Sequence, residues 1–294
     1  MNRLSGKVAF ITGGASGIGL GIAQAFPRGG IKVVIADASA ANLDDAADKL
    51  KNEPGQHRLL QLDVTDRTAF ARAADEAEAE FGKVHLLCNN AGIGSGSSIL
   101  TAGYEEWDRL IAVNLYGVVN GVVTFVPRIL AHGEGGYIIN TSSMAGILPM
   151  PDPGGIYSTT KFAVRGLSQS LRLALAPRGV GVSVLCPGLT KTRILDSRRE
   201  ATQQGTAAPL SAALVAAQEY AMEPLAVGQA VLRGIEHNDE FILPHGEFVE
   251  EVKMMHTQIE TSFRTDIPWH PERARFENAR RKMCDDMSAL AGEI

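Results

Sequence analysis

The sequence is poor in cysteine, and the three cysteines that it has are widely separated. Cys88, Cys186 and Cys284 form no Cys-x-x-Cys pair. This pattern argues against a disulfide framework or a zinc cluster and is typical of reduced thiols in a cytosolic protein. We expect Cys88 and Cys186, which end apolar runs, to be buried as small apolar side chains.

Histidines with the spacing of a metal site are absent as well. His85, His132 and His245 have no partner at the short intervals of zinc sites or in the arrangement of a catalytic triad. We therefore expect solvated or capping histidines and no bound metal.

The sequence also lacks an excess of positive charge. Its 28 Lys and Arg against 33 Asp and Glu give a net charge of −5, so no general positive field favours nucleic acid or an anionic membrane. No uninterrupted apolar run approaches the ~20 residues of a membrane-spanning helix. The opening segment has no apolar stretch or cleavage site of a signal peptide. We expect a cytoplasmic protein without nucleic-acid or membrane partners.

What the sequence does contain is a regular alternation of apolar runs and helical stretches. We predict strands at residues 8–12, 33–36, 59–62, 84–88, 137–141, 180–185 and 241–243. We predict helices at residues 17–26, 43–51, 66–81, 105–130, 157–176 and 224–236. The strands are apolar without alternation, as in parallel strands that are buried on both faces. The pattern predicts an α/β fold with a parallel sheet covered by helices on both sides.

Two prolines should perturb these helices, because proline has no N–H to donate. Pro27 should shorten the first helix, and Pro127 should interrupt the long helical stretch at 105–130.

Two segments fall outside the alternation. Residues 193–222 are polar and rich in alanine, and we expect them to form a substrate flap. Residues 245–294 should form a C-terminal helical extension that serves packing or oligomer contacts. No linker separates these parts, so we predict one domain over residues 1–294. The extension carries an apolar stripe of Phe248, Val249, Val252, Met255, Ile259 and Phe263.

Glycines are concentrated between the first strand and the first helix. Gly13, Gly17 and Gly19 would let the backbone turn tightly and approach a pyrophosphate at the helix N-terminus. Asp37 ends the second strand, where an acid accepts hydrogen bonds from ribose hydroxyls and repels a 2′-phosphate. No Arg or Lys lies in the loop or directly after Asp37, so NAD is favoured over NADP.

Tyr157 and Lys161 form a candidate proton-transfer pair. They are four residues apart in a predicted helix, so they share one face. A free tyrosine, with a pKa of about 10, is too weakly acidic to serve as a base near neutral pH. At ~4–5 Å and an effective dielectric of ~20, Lys161 would lower the pKa of Tyr157 by about two to three units before desolvation opposes it.

These motifs, together with Asn89-Asn90-Ala91-Gly92, Ser143-Met144-Ala145-Gly146 and the turn Pro187-Gly188, resemble the short-chain dehydrogenase/reductase family in its compact single-domain form. The resemblance covers roughly residues 5–245. It implies a Rossmann-type doubly wound sheet of about seven strands. It also implies hydride transfer between NAD and a secondary alcohol or ketone.

The resemblance implies a role for each site residue. Tyr157 would be the acid/base and Lys161 its tuning cation. Ser143 would orient the substrate oxygen, with Ser142 as its rival, and Asn114 would bend a helix and support the lysine through a water. Cofactor-binding residues are implied at Gly13, Ser16, Gly17, Ile18, Gly19, Asp37, Asp63, Val64, Asn90, Ala91, Gly92, Tyr157, Lys161, Pro187, Gly188, Thr190 and Thr192.

The expected pocket is lined by residues 94–99, 147–153 and 189–220, whose apolar members suit a bulky or aromatic substituent. Within the family, five stretches are similar to dehydrogenases that oxidise the benzylic (Cα) alcohol of lignin β-aryl-ether dimers. These are residues 104–108, 120–128, 145–151 and 191–194 and the pair Glu223-Pro224.

Other functions were weighed against this one. Asp37 argues against an NADP-linked ketone or 3-oxoacyl reductase, and the complete catalytic set argues against a silent dinucleotide-binding regulator. Chain length and glycine spacing disfavour a sugar-nucleotide epimerase. We also expect a homo-oligomer, a tetramer or dimer, paired through the helices at 105–130 and 157–176, because the first has apolar residues on several sides.

Overall fold

The computed structural model describes residues 4–51, 53–196 and 211–292, and its centre is a parallel sheet. The middle of the predicted flap, residues 197–210, lies outside the described residues. The strands are β1 (Val8–Thr12), β2 (Lys32–Asp37), β3 (His57–Gln61), β4 (Leu86–Asn89), β5 (Gly136–Thr141), β6 (Val180–Leu185) and β7 (Phe241–Ile242).

Within these residues the seven strands form one sheet in the order β3-β2-β1-β4-β5-β6-β7, and every pair is parallel. The chain first moves from β1 towards β3 and then returns to place β4 on the other side of β1. Such a reversal opens a crevice at the carboxyl ends of the two central strands, where α/β proteins bind ligands.

Helices cover both faces of the sheet. They are α1 (Gly17–Ala25), α2 (Ala40–Leu50), α3 (Arg67–Phe81), α4 (Tyr104–Ile111), α5 (Gly117–His132), α6 (Gly155–Leu175), α7 (Ala212–Ala217), α8 (Pro224–His237), α9 (Val249–Thr261) and α10 (Pro271–Gly292).

Alternate side chains of β1 show how the two layers divide. Ile11 packs on one face with residues of α1 and α8. Phe10 points to the other face, where its ring lies 6.2 Å from that of Phe70 in α3 and 4.7 Å from that of Phe125 in α5. Cys88 and Cys186 are buried, as expected. The doubly wound α/β fold predicted from the sequence is confirmed.

The two prolines behave differently. α1 ends at Ala25, and Pro27 lies in the following 3₁₀ turn Phe26–Gly29, as expected. The predicted interruption at Pro127 is wrong, because α5 continues through it to His132. The carbonyl that loses its helical partner belongs to Val123, which is 68% exposed, so solvent can satisfy it at small cost.

The α-helical hydrogen bonding is interrupted elsewhere, in the π-helical turn Ala112–Tyr116 between α4 and α5. By length and composition the continuous segment Tyr104–His132 could cross a membrane, contrary to the expectation drawn from uninterrupted apolar runs. A core helix passes the same test, and in this structure Phe125 and Ile129 are buried against the sheet.

Both helices of the C-terminal extension pack on the rest of the protein. α10 packs against α6, and the Ala291 carbonyl accepts a hydrogen bond from the Asn238 side chain. On α9, Val252 and Met255 pack against the cluster that contains Met144 and Cys186. The predicted apolar stripe is therefore divided, since Val249, Ile259 and Phe263 are exposed.

Candidate active site

The glycine loop lies at the carboxyl end of β1, beside the crevice. An added Cβ at Gly19 would lie 2.1 Å from the Gly13 carbonyl oxygen, so the loop can close on itself only with glycine there. Ser16 precedes α1, and its side chain makes no capping hydrogen bond. The first turn of α1 therefore offers backbone N–H groups to an anion, as a pyrophosphate site requires.

Asp37 connects this loop to the next strand and helix. It is 8% exposed. Its Oδ2 accepts from the Ala15 N–H at 3.3 Å, and its Oδ1 accepts from the Ser39 N–H at 3.0 Å. The carboxylate thus lies between the glycine loop and the start of α2, at the place expected for ribose recognition.

The end of β4 is joined to the glycine loop through Thr12, which the sequence analysis did not assign to the site. The Thr12 hydroxyl accepts from the backbone N–H groups of Asn90 and Ala91 at 3.0 and 3.1 Å. The Asn90 amide donates to the carbonyls of Thr12 and Gly13, at 3.2 Å each. The only sequence signal for Thr12 was its position at the head of the glycine motif.

Three further predicted cofactor positions lie at the same edge of the sheet. Asp63 is exposed and accepts from the Thr65 N–H at 2.9 Å, and the Val64 carbonyl accepts from the Asn120 amide at 2.8 Å. A Cβ on Gly17 would lie 2.9 Å from Thr192 Cγ2, so the segment after β6 reaches the glycine loop.

The structure brings Tyr157, Lys161 and Ser143 together at the N-terminal end of α6. The Lys161 ammonium lies 5.5 Å from the centre of the Tyr157 ring and donates to the Thr141 carbonyl at 3.0 Å. The Ser143 hydroxyl donates to the Pro187 carbonyl at 3.4 Å and accepts from the Ala145 N–H at 3.1 Å. Its rival Ser142 instead donates to the Lys161 carbonyl at 2.7 Å.

Burial controls the protonation of this pair. It raises the pKa of Tyr157 to about 12, although the nearby Ser143 hydroxyl opposes the rise. It lowers the pKa of Lys161 to about 8. Desolvation, which opposes the effect expected of Lys161, is therefore the largest influence on the pKa of Tyr157 in the protein alone.

Asn114 lies in the π-helical turn and is completely buried. Its Oδ1 accepts from the Ile93 N–H at 2.8 Å, and its Nδ2 donates to the Ile93 carbonyl at 3.0 Å and to the Thr160 hydroxyl at 3.2 Å. Asn114 Oδ1 and Lys161 Nζ both lie 3.3 Å from a Cβ built on Gly92. Asn114 therefore ties the loop after β4 to the helix that carries the catalytic pair.

Part of the expected pocket wall is buried in the core. Ile147 and Leu148 are buried against Met144 and Cys186, so they belong to the core. Met150, which is 49% exposed, remains available. The loop at 94–99 meets the loop before α6, since the Ile99 N–H donates to the Asp152 carboxylate at 2.9 Å.

Histidines form a cluster at the opposite, amino-terminal edge of the sheet. The rings of His85 and His132 are 4.9 Å apart, and Glu134 Oε2 lies 2.9 Å from His85 Nε2. The prediction of isolated, solvated or capping histidines is wrong for His85, which is 7% exposed. Sequence spacing could not reveal this cluster, because its members come from different elements.

The cluster has the ligand atoms of a metal site, but these atoms already form hydrogen bonds within the protein. His132 Nδ1 accepts from the Glu134 N–H at 3.1 Å, and its Nε2 lies 3.1 Å from the Val84 carbonyl. A hydrogen bond from Lys83 lowers the pKa of Glu134 to about 2. A cation would have to displace these bonds and face the lysine charge.

Known proteins share this sequence and architecture. A family model described as short chain dehydrogenase matches residues 7–203. A "C alpha-dehydrogenase" from a Sphingobium species is 39% identical over 257 residues, which are 85% of this chain and 84% of the relative.

Two solved structures extend the similarity. A short-chain dehydrogenase from Novosphingobium aromaticivorans has a TM-score of 0.85 and 38% identity, covering 99% of this chain and 100% of that one. A short-chain dehydrogenase/reductase from Burkholderia phymatum, solved in complex with NAD, has a TM-score of 0.79 and 32% identity, covering 92% and 100%. The chain therefore belongs to the short-chain dehydrogenase family, whose members are oxidoreductases that bind a nicotinamide dinucleotide.

Proposed function

We propose that this protein is an NAD-dependent dehydrogenase that interconverts a secondary alcohol, carrying a bulky or aromatic substituent, and its ketone. The observation that carries the proposal is the cluster of Tyr157, Lys161 and Ser143 at the same edge of the sheet as Asp37. A proton-transfer group and a candidate ribose acceptor thus share one crevice.

The residues present fit a dinucleotide. Gly13, Gly17 and Gly19 would hold the pyrophosphate at the start of α1, and Asp37 would accept from the ribose hydroxyls. The turn that begins at Pro187 would contact the nicotinamide side. When bound, the nicotinamide supplies or accepts the hydride at the substrate carbon.

The protein's own residues would manage the proton. In oxidation the Tyr157 oxygen takes the proton of the alcohol, and in reduction its hydroxyl returns one. Ser143 can turn its hydroxyl from the Pro187 carbonyl to the substrate oxygen, because that bond is long at 3.4 Å. Lys161 favours the phenolate form through its charge.

The substrate proposal is a benzylic alcohol of the kind found in lignin-derived aryl ethers. It is supported by the similarity to the Sphingobium "C alpha-dehydrogenase" over 84% of that protein. The partly exposed apolar side chains of Ile99 and Met150, which lie beside Gly155 and Gly154 at the start of α6, would suit an aromatic group.

The matching experiment is a panel of secondary alcohols assayed with NAD and, separately, NADP, following absorbance of the reduced cofactor. We expect benzylic alcohols to exceed small aliphatic ones by roughly 10-fold or more in kcat/KM, as an apolar pocket allows. Turnover of no alcohol in the panel, in either direction, would contradict the proposed reaction.

An NADP-dependent reductase is the second candidate, and one contact favours it. The Arg193 guanidinium donates to the Asn42 side-chain oxygen, and the Asn42 amide lies 3.5 Å from Asp37 Oδ1. A basic group therefore comes closer to the ribose position than the order of the sequence indicated.

Asp37→Asn separates these two candidates. We expect the unaltered protein to prefer NAD by ~100-fold in kcat/KM, because a carboxylate beside a 2′-phosphate costs several kcal/mol. The variant keeps the shape and removes the charge, so the preference should fall towards unity. Asp45→Asn, on the exposed side of α2, is the matched control. Equal use of both cofactors by the unaltered protein would favour the second candidate.

A further inference from the structure

His245 connects the C-terminal extension to the active-site turn. It follows β7 and is 5% exposed, contrary to the solvated or capping role expected from the sequence. Its Nδ1 accepts from the Gly188 N–H at 3.0 Å, and its Nε2 lies 3.0 Å from the Leu189 carbonyl oxygen. Because a backbone N–H can only donate, Nδ1 is unprotonated and Nε2 donates. One neutral imidazole therefore holds backbone groups of two consecutive residues, Gly188 and Leu189.

The imidazole is also tightly packed against the turn. A Cβ built on Gly188 would lie 2.9 Å from the His245 ring and 2.7 Å from Phe248 Cε2. Gly188 thus permits an approach that no larger residue could allow. Phe248 belongs to the same apolar cluster as Val252 and Met255, which anchors the start of the extension.

The other side of the turn supports the catalytic serine. The Pro187 carbonyl accepts from the Met144 N–H at 2.9 Å and from the Ser143 hydroxyl at 3.4 Å. The Leu189 carbonyl also accepts from the Met222 N–H at 3.0 Å. Gly188 lies between these attachments, and its N–H is held by His245. The Pro187 carbonyl and the Gly188 N–H belong to one peptide group, so movement at His245 would reach Ser143 through a single peptide group.

We propose that His245 is a positioning residue that fixes residues 187–189, so that Ser143 and the nicotinamide side of the cofactor site keep their relative positions. The inference rests on the proposed function. It also assigns the first residues of the C-terminal extension a role in the active site of the same chain.

The test compares His245→Phe, which fills the space without hydrogen bonds, with His245→Gln, which keeps one acceptor and one donor. His256→Phe, an exposed position on α9, is the matched control. The readouts are hydrogen exchange of peptides covering residues 186–191, the Kd for NADH by fluorescence, kcat/KM, and Tm.

For His245→Phe we expect Gly188 exchange to accelerate and NADH affinity to weaken, each ~10-fold, as the loss of one or two buried hydrogen bonds predicts. We expect kcat/KM to fall roughly 10- to 100-fold, because small displacements of catalytic groups are costly. The values for His245→Gln should lie between those of His245→Phe and those of the unaltered protein. His256→Phe should change none of these readouts.

If His245 only stabilises the fold, His245→Phe should give a different result. A fall in Tm with faster exchange throughout the sheet, but unchanged NADH affinity, would overturn the positioning role. So would unchanged exchange at residues 186–191. If the unaltered protein does not bind NADH, the proposed function fails and the cofactor side of this inference fails with it. If the unaltered protein binds NADH but His245→Phe does not accelerate exchange at residues 186–191, only the positioning role of His245 is refuted.

Discussion

Replacing Tyr157 by phenylalanine should lower kcat by about 10²- to 10⁴-fold, the usual contribution of a positioned acid or base. The variant keeps the ring that faces Lys161 and removes only the hydroxyl. The fold and the dinucleotide site should therefore persist, and NADH should bind with nearly unchanged affinity.

Tyr104→Phe is the matched control, because Tyr104 is 88% exposed and lies outside the proposed site. Steady-state kinetics of both variants should be accompanied by an NADH titration and a Tm measurement. If Tyr157→Phe retained a tenth of the activity, the proton would have to travel by another route. A loss of NADH binding would instead indicate that the hydroxyl is needed to shape the cofactor site.

Local patterns in the sequence were sufficient for most of the fold. The bounds of β1 and β6 agree with their prediction, because strands that are buried on both faces are recognisable as short apolar runs. The helix that carries Tyr157 and Lys161 was equally visible. The family model and the solved relatives agree with the resemblance drawn from these motifs.

Contacts between distant parts of the chain could not be predicted in this way. His245 and Gly188 are 57 residues apart, and Arg193 and Asn42 are 151 residues apart. Ile147 was expected in the pocket, but the C-terminal extension helps to bury it. Each outcome depends on which element covers a side chain, and hydrophobicity along the sequence does not contain that information.

The pKa values of the catalytic pair could not be predicted from the sequence for a related reason. A charge–charge estimate needs only the four-residue spacing, whereas desolvation depends on everything that surrounds the pair. In the folded protein burial is the larger effect for both Tyr157 and Lys161. The tyrosine therefore begins as a weaker acid than a free one, and any cation that favours its phenolate gains in importance.

Lys161→Met should consequently impair proton transfer. At ~5 Å and an effective dielectric of ~20, the ammonium favours the phenolate by about 3 kcal/mol, or roughly two pKa units. We expect kcat for alcohol oxidation to fall about 100-fold near neutral pH. The rise of activity with pH should shift upward by about two units. Lys49→Met, an exposed position in α2, should leave the pH profile unchanged, and an unshifted profile in Lys161→Met would refute the tuning role.

The same substitution should make the folded protein more stable, although it lowers the activity. Lys161 is 3% exposed, and burial lowers its pKa from 10.5 to about 8. The folded protein thus binds this proton less tightly than the unfolded chain. The resulting cost to folding is complete below pH 8 and disappears as the pH rises towards 10.5. That cost is about 3 kcal/mol. Lys161→Met removes it but also loses the hydrogen bond to Thr141, which contributes about 1 kcal/mol.

Lys161→Met should therefore increase the free energy of unfolding by about 2 kcal/mol at pH 7. Denaturant unfolding at pH 7 and pH 10 checks this expectation. From pH 7 to pH 10 the unaltered protein should gain stability relative to the variant, because only the unaltered protein has a buried ammonium that loses its charge. A variant that is less stable at pH 7, with no relative change at pH 10, would mean that the lysine is retained for structure. The expected pattern would instead show that catalysis maintains a residue that folding disfavours.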